Sequence, residues 1–171
     1  MGARDPDRVA VTVDDEAGLA VLAGALAASL PDRAFVALEG DLGAGKTTFV
    51  KALASAAGID AAEVTSPTFG LIHVHDLPPA HPAGRLVHAD LYRLSGAGEL
   101  GELGWDEILA APGWVAAEWP SRAPRALPPD RLDVAITILS ETGRRFDCRA
   151  SGARHAAAVS ALARLAGASV G

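Results

Sequence analysis

The residues best suited to chemistry in this chain are Gly40-Asp41-Leu42-Gly43-Ala44-Gly45-Lys46-Thr47-Thr48. Their spacing matches G-x-x-x-x-G-K-[ST], the phosphate-binding P-loop, at every fixed position. Glycines let the backbone curl so that successive N–H groups converge on an anion. A helix beginning near Lys46 aims its positive dipole end at the same point. Lys46 is expected to reach β- and γ-phosphate oxygens, and the Thr47 hydroxyl to sit on Mg²⁺. The chain has only two lysines, Lys46 and Lys51, and one of them occupies the required place.

Phosphoryl chemistry also needs carboxylates, which belong at the C-terminal ends of strands beside the P-loop strand. Two qualify. Asp90 ends the run Leu86-Val87-His88-Ala89, and Glu118 ends Trp114-Val115-Ala116-Ala117. Asp90 is suited to holding Mg²⁺ through water, Glu118 to taking the metal directly or polarising an attacking water. For each, the competing reading is a strand-end carboxylate on a solvated edge. No Asn-Lys-x-Asp motif is possible with these lysines, and Asp90 is followed by Leu91-Tyr92-Arg93, not by the x-x-Gly of a GTPase switch. Adenine is therefore the expected base, and ATP with Mg²⁺ the expected ligands.

The elements that must position these groups follow from periodicity. Arg33 to Glu39 is an apolar run suited to a buried strand, and Phe49, Val50, Leu53 and Ala57 recur at helical spacing after the loop. Upstream, Val9 to Val13 alternates like a strand, Asp14 and Asp15 are helix caps, and Leu19, Leu22, Ala23, Leu26 and Leu30 form one helical stripe that Pro31 stops. Phe69–Val74 and Arg85–Leu91 read as a hairpin whose Pro-rich 76–84 connection is expected to be mobile at its tip. Gly98 to Leu109 reads as an amphipathic helix interrupted by Gly101 and Gly104. Gly113–Ala117 is a short strand. Arg131–Leu139 and Arg144–Ala150 form a second hairpin across Glu141-Thr142-Gly143, and Ala156–Ala166 is a closing helix. The expected fold is α/β: a P-loop NTPase-like three-layer sandwich with a mixed central sheet and antiparallel hairpins, one domain over residues 1–171 with flexible ends.

Composition narrows the function classes. Half of the residues are hydrophobic and 21% are charged, as in a globular protein. No apolar run approaches a membrane span, the N-terminus lacks a signal-peptide core, and one cysteine allows no internal disulfide, which together point to the cytoplasm. The net charge of −6 argues against a broad nucleic-acid footprint. Work on RNA would proceed through a partner.

Gly40 to Thr48, Thr65-Ser66-Pro67-Thr68-Phe69, His88-Ala89-Asp90-Leu91-Tyr92-Arg93-Leu94 and Glu118-Trp119-Pro120 fall in the order and spacing of the TsaE family, which the chain resembles from about Val9 to Ala150. Members of that family are bacterial ATPases that help install threonylcarbamoyl on adenosine beside the anticodon of tRNAs reading ANN codons, acting with the TsaB–TsaD pair. The resemblance implies that Lys46 and the loop residues Asp41, Leu42, Gly43, Ala44, Gly45, Thr47 and Thr48 bind ATP phosphates, and that Thr47 with Glu118 holds Mg²⁺. It makes Asp90 a Walker-B-like acid and metal-site residue, and Lys46, Asp90 and Glu118 the catalytic set. It makes Thr65, Ser66, Pro67 and Thr68 a switch near the γ-phosphate and Trp119 a residue near the site. Further nucleotide contacts are implied at Asp15 or Glu16 and around Gly143, Arg144 and Arg145.

Other residues have plainer readings. His73, His75, His81 and His88 crowd together but lack a third ligand at zinc spacing. Trp105 and Trp114 read as core or interface anchors, Trp119 equally as packing or site, Arg93 equally as a phosphate contact or a surface ion pair, and Cys148 as a packed residue. The alternative function is a stand-alone P-loop small-molecule or nucleoside kinase, with Arg122 and Arg125 as a lid, although Pro120, Pro124, Pro128 and Pro129 crowd that segment.

Overall fold

The computed structural model describes residues 5–67 and 71–168, together with the backbone but not the side chain of Ala97. The expected flexible ends, and Thr68 and Phe69 of the switch segment, lie outside the described residues. Every described strand joins one sheet: β1 (Arg8–Val13), β2 (Arg33–Gly40), β3 (Ile72–Asp76), β4 (Arg85–Asp90), β5 (Gly113–Glu118), β6 (Arg131–Ile138) and β7 (Arg144–Ser151), in the order β1-β7-β6-β2-β5-β4-β3. The inner four, β6, β2, β5 and β4, run parallel, and the flanking pairs are antiparallel. The mixed sheet with hairpins at both sides is the expected one.

β2 lies in the middle of the sheet and is covered on both faces, which is why its sequence is continuously apolar. Ala34, Val36 and Leu38 pack with Trp114 and Ala116 of β5 under α1 (Glu16–Ser29), α2 (Lys46–Ala56) and α5 (Ala156–Ala168). Phe35 and Ala37 pack with Val115 and Ala117 on the opposite face, under α3 (Ala97–Glu102) and α4 (Trp105–Ala110). The cap of α1 is Asp15, whose Oδ1 accepts the Gly18 N–H at 2.9 Å. Leu22 and Leu26 of its stripe are fully buried, each worth about 1.5–3 kcal/mol of burial.

Some expected elements take other bounds. The helix read over Gly98–Leu109 is two short helices, because Gly104 takes a left-handed φ of 74° that ends one and starts the other. The 76–84 connection is anchored on either side of its exposed tip, Pro79 and Ala80. Leu77 and Ala83 are buried, His81 meets the Trp114 ring edge-on at 4.8 Å, and Pro78 presses so close to Gly58 that a Cβ there would lie 2.8 Å from it. Proline stiffness serves packing here. The first strand of this hairpin begins at Ile72, later than the sequence suggests, and ends at Asp76.

Candidate nucleotide site

The loop leaves β2 at Gly40, where a Cβ would meet the Ile136 carbonyl oxygen at 2.9 Å and Ala44 Cβ at 3.0 Å. Gly43 and Gly45 have φ of 80° and 102°, left-handed values that an L side chain adopts only under strain. The curl they permit places the first turn of α2 at the loop's mouth. Lys46 Nζ donates to the Gly40 carbonyl at 2.7 Å and to that of Asp41 at 3.0 Å, and lies 4.0 Å from the centre of the Trp119 ring. Burial pushes the Lys46 pKa down, while Glu118, Glu39, Asp90 and Asp41 pull the other way. The ammonium is thus held at the loop by weak acceptors that a phosphate oxygen can outcompete.

The two strand-end carboxylates are brought together by sheet register, since Asp90 stands opposite Glu118 in the β4–β5 ladder. Glu118 is 3% exposed. Its Oε1 accepts the Thr47 hydroxyl at 2.8 Å and His88 Nε2 at 2.7 Å. Asp90 is half-buried, and its Oδ1 accepts the Tyr92 N–H at 3.0 Å. Desolvation raises the Asp90 pKa, the Tyr92 bond opposes the rise, and the nearby Glu118 charge adds to it. Thr47, Asp90 and Glu118 line one cavity of about 340 Å³ with Lys46, Ser66 and Trp119. Their donor atoms are all oxygen, the hard set that Mg²⁺ prefers. Among the described residues no cluster of three or more His, Cys, Asp or Glu side chains is placed to hold a metal. A Mg²⁺ ion at Thr47 and Glu118 would therefore draw further ligands from phosphate and water, its usual habit.

A second cavity, of about 520 Å³, opens on the other side of the loop between the start of α1 and the β6–β7 turn. Val13, Leu19 and Phe146 give it apolar walls, and Glu16, Thr142 and Arg144 a polar rim. Gly45 and Thr48 line both cavities, which makes the P-loop the floor they share. Arg144 does more than line the cavity. Its Nε donates to the Ala44 carbonyl at 2.9 Å and its Nη1 to the carbonyls of Ser140, Glu141 and Gly143. It ties the β6–β7 turn to the P-loop. Gly143 is buried and shapes that turn through its N–H bond to Ser140 Oγ at 2.8 Å, without lining the cavity. Arg145 is turned to Asp147 at 2.9 Å on the exposed side of β7, away from both cavities.

The remaining sequence candidates sort by place. Leu42 stands 78% exposed at the loop's tip, and it and Ser66 both line the cavity of Thr47, Asp90 and Glu118. Pro67 is buried beside an adjoining groove with Asp90, Tyr92 and Arg93, and Thr65 is exposed. Trp119 has the one positive φ of a non-glycine among the described residues, 58°, and its ring lies 4.9 Å from that of Tyr92. It both packs and faces the cavity. Trp105 and Trp114 are buried anchors, bonded through Nε1 to the carbonyls of Ala126 and Pro31. Burial pushes the Cys148 thiol up to about 12, so it is packed and unreactive. Arg122 sits over the Tyr92 ring at 5.0 Å within the short 3-10 turns of residues 120–126, a folded segment and not a lid. Sequence reasoning missed the role of His88 at Glu118. The signal was its position two residues before Asp90, which puts both on one face of β4.

Comparison with known proteins gives the family. A family model described as "Threonylcarbamoyl adenosine biosynthesis protein TsaE" matches residues 13–146. The chain belongs to the TsaE family. It is 38% identical over 121 residues to a "tRNA threonylcarbamoyladenosine biosynthesis protein TsaE" of Bacillus subtilis, covering 69% of this chain and 70% of that one. A protein of the same description from Aquifex aeolicus is 35% identical over 136 residues, covering 79% of this chain and 91% of its own. A crystal structure of Bacillus subtilis YdiB superposes with a TM-score of 0.72 at 29% identity, covering 92% and 95% of the two chains.

Proposed function

We propose that this TsaE-family chain is a Mg²⁺-dependent ATPase that acts on the TsaB–TsaD pair during threonylcarbamoylation of adenosine next to the anticodon of tRNAs reading ANN codons. The observation that carries the reading is the Thr47–Glu118 contact at 2.8 Å, directly beside Lys46 on the P-loop. ATP would lay its phosphates in the cavity of Lys46, Thr47, Asp90 and Glu118 and its base in the Val13, Leu19 and Phe146 cavity. Thr47 and Glu118 would hold Mg²⁺, with Asp90 behind them through water, and the metal would supply neutralisation of phosphate charge. Lys46 would leave the Gly40 and Asp41 carbonyls for the phosphates, and the loop N–H groups would stabilise the charge that develops there. The segment at Thr65–Pro67, with Ser66 on the cavity wall, would respond to the γ-phosphate and change binding to the partner. A net charge of −6 fits a protein that meets tRNA only through TsaB–TsaD. No described helix is long and apolar enough to cross a membrane.

The test is phosphate release by the purified chain, with and without TsaB–TsaD, at matched Mg²⁺. Slow release alone, a sharp rise with the pair and loss of both in Lys46→Ala are expected. Phosphorylation of a small acceptor without response to the pair would replace this reading with the kinase one.

A further inference from the structure

We infer that His88 is a positioning residue for Glu118, fixing which of its two carboxylate oxygens faces the phosphates; the inference rests on the ATPase reading above. β4 is an interior strand whose Leu86, Val87 and Ala89 are buried and apolar, and a fully buried imidazole stands among them. A polar ring in that place needs a reason. Its Nε2 lies 2.7 Å from Glu118 Oε1, and the Thr47 hydroxyl donates to the same oxygen at 2.8 Å. Two donors on Oε1, one from β4 and one from α2, hold the carboxylate against rotation about its last torsion. No donor among the described residues takes Oε2, which is thereby presented to the cavity.

The ring's other nitrogen makes the same point. His88 Nδ1 is buried and has no hydrogen-bond partner among the described residues. Packing alone would favour an apolar side chain here, and polar satisfaction alone would favour a ring with both nitrogens used. The contact that remains is the one to Glu118. Glutamate has three side-chain torsions, and a carboxylate that must meet a metal or a water works only when they are fixed beforehand. Partners that orient such a ligand are worth about 10–100-fold in metal affinity or activity.

The test compares His88→Leu, which removes the donor, His88→Asn, whose amide falls short, and His88→Gln, whose amide nitrogen reaches close to the position of Nε2. Steady-state turnover with TsaB–TsaD is read beside melting temperature and beside the affinity of a non-hydrolysable ATP analogue with Mg²⁺ and with EDTA. For Leu and Asn, kcat is expected to fall about 10–100-fold. KM should stay within about twofold, and the Mg²⁺-dependent gain in analogue affinity should shrink. Gln is expected to recover most of both losses at a melting temperature no higher than that of Asn. Turnover and Mg²⁺ response that stay at the wild-type level in Asn or Leu, or fall as far in Gln, overturn the inference alone. Absence of both turnover and Mg²⁺-stimulated binding in the wild type overturns the ATPase reading and the inference with it.

Discussion

Two histidines are buried beside carboxylates at opposite ends of the same sheet, and they are used differently. His155, just before α5, lies 2.8 Å from Asp130 Oδ1 through Nδ1, and its Nε2 accepts the Phe35 N–H at 3.1 Å. The β2–β6 ladder begins only at Val36, so His155 supplies the partner that Phe35 lacks. Both ring nitrogens are satisfied, and the network closes on backbone. His88, near the other end, uses one nitrogen among the described residues, and the carboxylate it meets opens on a cavity. A completed polar network adds stability and asks for nothing more.

The contrast can be broken with matched substitutions. Glu118→Ala is expected to lower ATP turnover by about 10²–10⁴-fold, since on the proposed reading it removes a Mg²⁺ ligand or the group that polarises water. Its nucleotide affinity without Mg²⁺ should change little, and turnover at the wild-type rate would end its assigned role. Asp130→Ala should do the reverse. It leaves the buried His155 N–H unpaired, at a cost of about 1–3 kcal/mol in chemical denaturation, with kcat per folded molecule unchanged. If Asp130→Ala lowers kcat instead, the two ends of the sheet are coupled and the comparison fails.

The smallest expected effect is in pH. Desolvation holds the His155 pKa below its ordinary 6.5, with Asp130 pulling it back up. Between the folded and unfolded values the unfolded chain binds more protons, so this contribution to stability is intact above about pH 6.5 and fades as the pH falls through that window. Melting temperature should drop between about pH 7.5 and about pH 5.5 more steeply in the wild type than in His155→Gln. Equal slopes would remove His155 from the account.

Much of this was legible in the sequence because it is local. The P-loop pattern, the apolar run of β2 and the α1 stripe each depend on neighbours within a few residues. Asp90 and Glu118 could be found because strand ends beside a P-loop strand are a known place for acids. What stayed hidden depends on contacts between distant segments. His88 looked like one of several clustered histidines until register set Asp90 beside Glu118. Arg144 read as a nucleotide contact, yet its guanidinium is spent largely on carbonyls of the turn and of Ala44, which no spacing reveals. His155 gave no signal at all, since its partners lie 25 and 120 residues away. The proline-rich connection misled for a related reason. Composition describes a segment alone, and the contacts of His81 with Trp114 and of Pro78 with Gly58 come from elsewhere in the chain.

The central place of β2 bears on how the protein comes to exist. Its neighbours in the sheet, β5 and β6, and the His155 that closes its first N–H all lie far downstream in the chain. During synthesis, at roughly 5–20 residues per second, the P-loop strand leaves the ribosome with nothing to pair against. The phosphate-binding sequence is among the early parts to be made, yet a nascent chain ending before β6 should carry the motif without being able to bind. On the ATPase reading nucleotide would therefore stabilise only a chain that has reached β6, and a stalled or truncated product would expose an apolar strand to chaperones and proteases instead of competing for ATP.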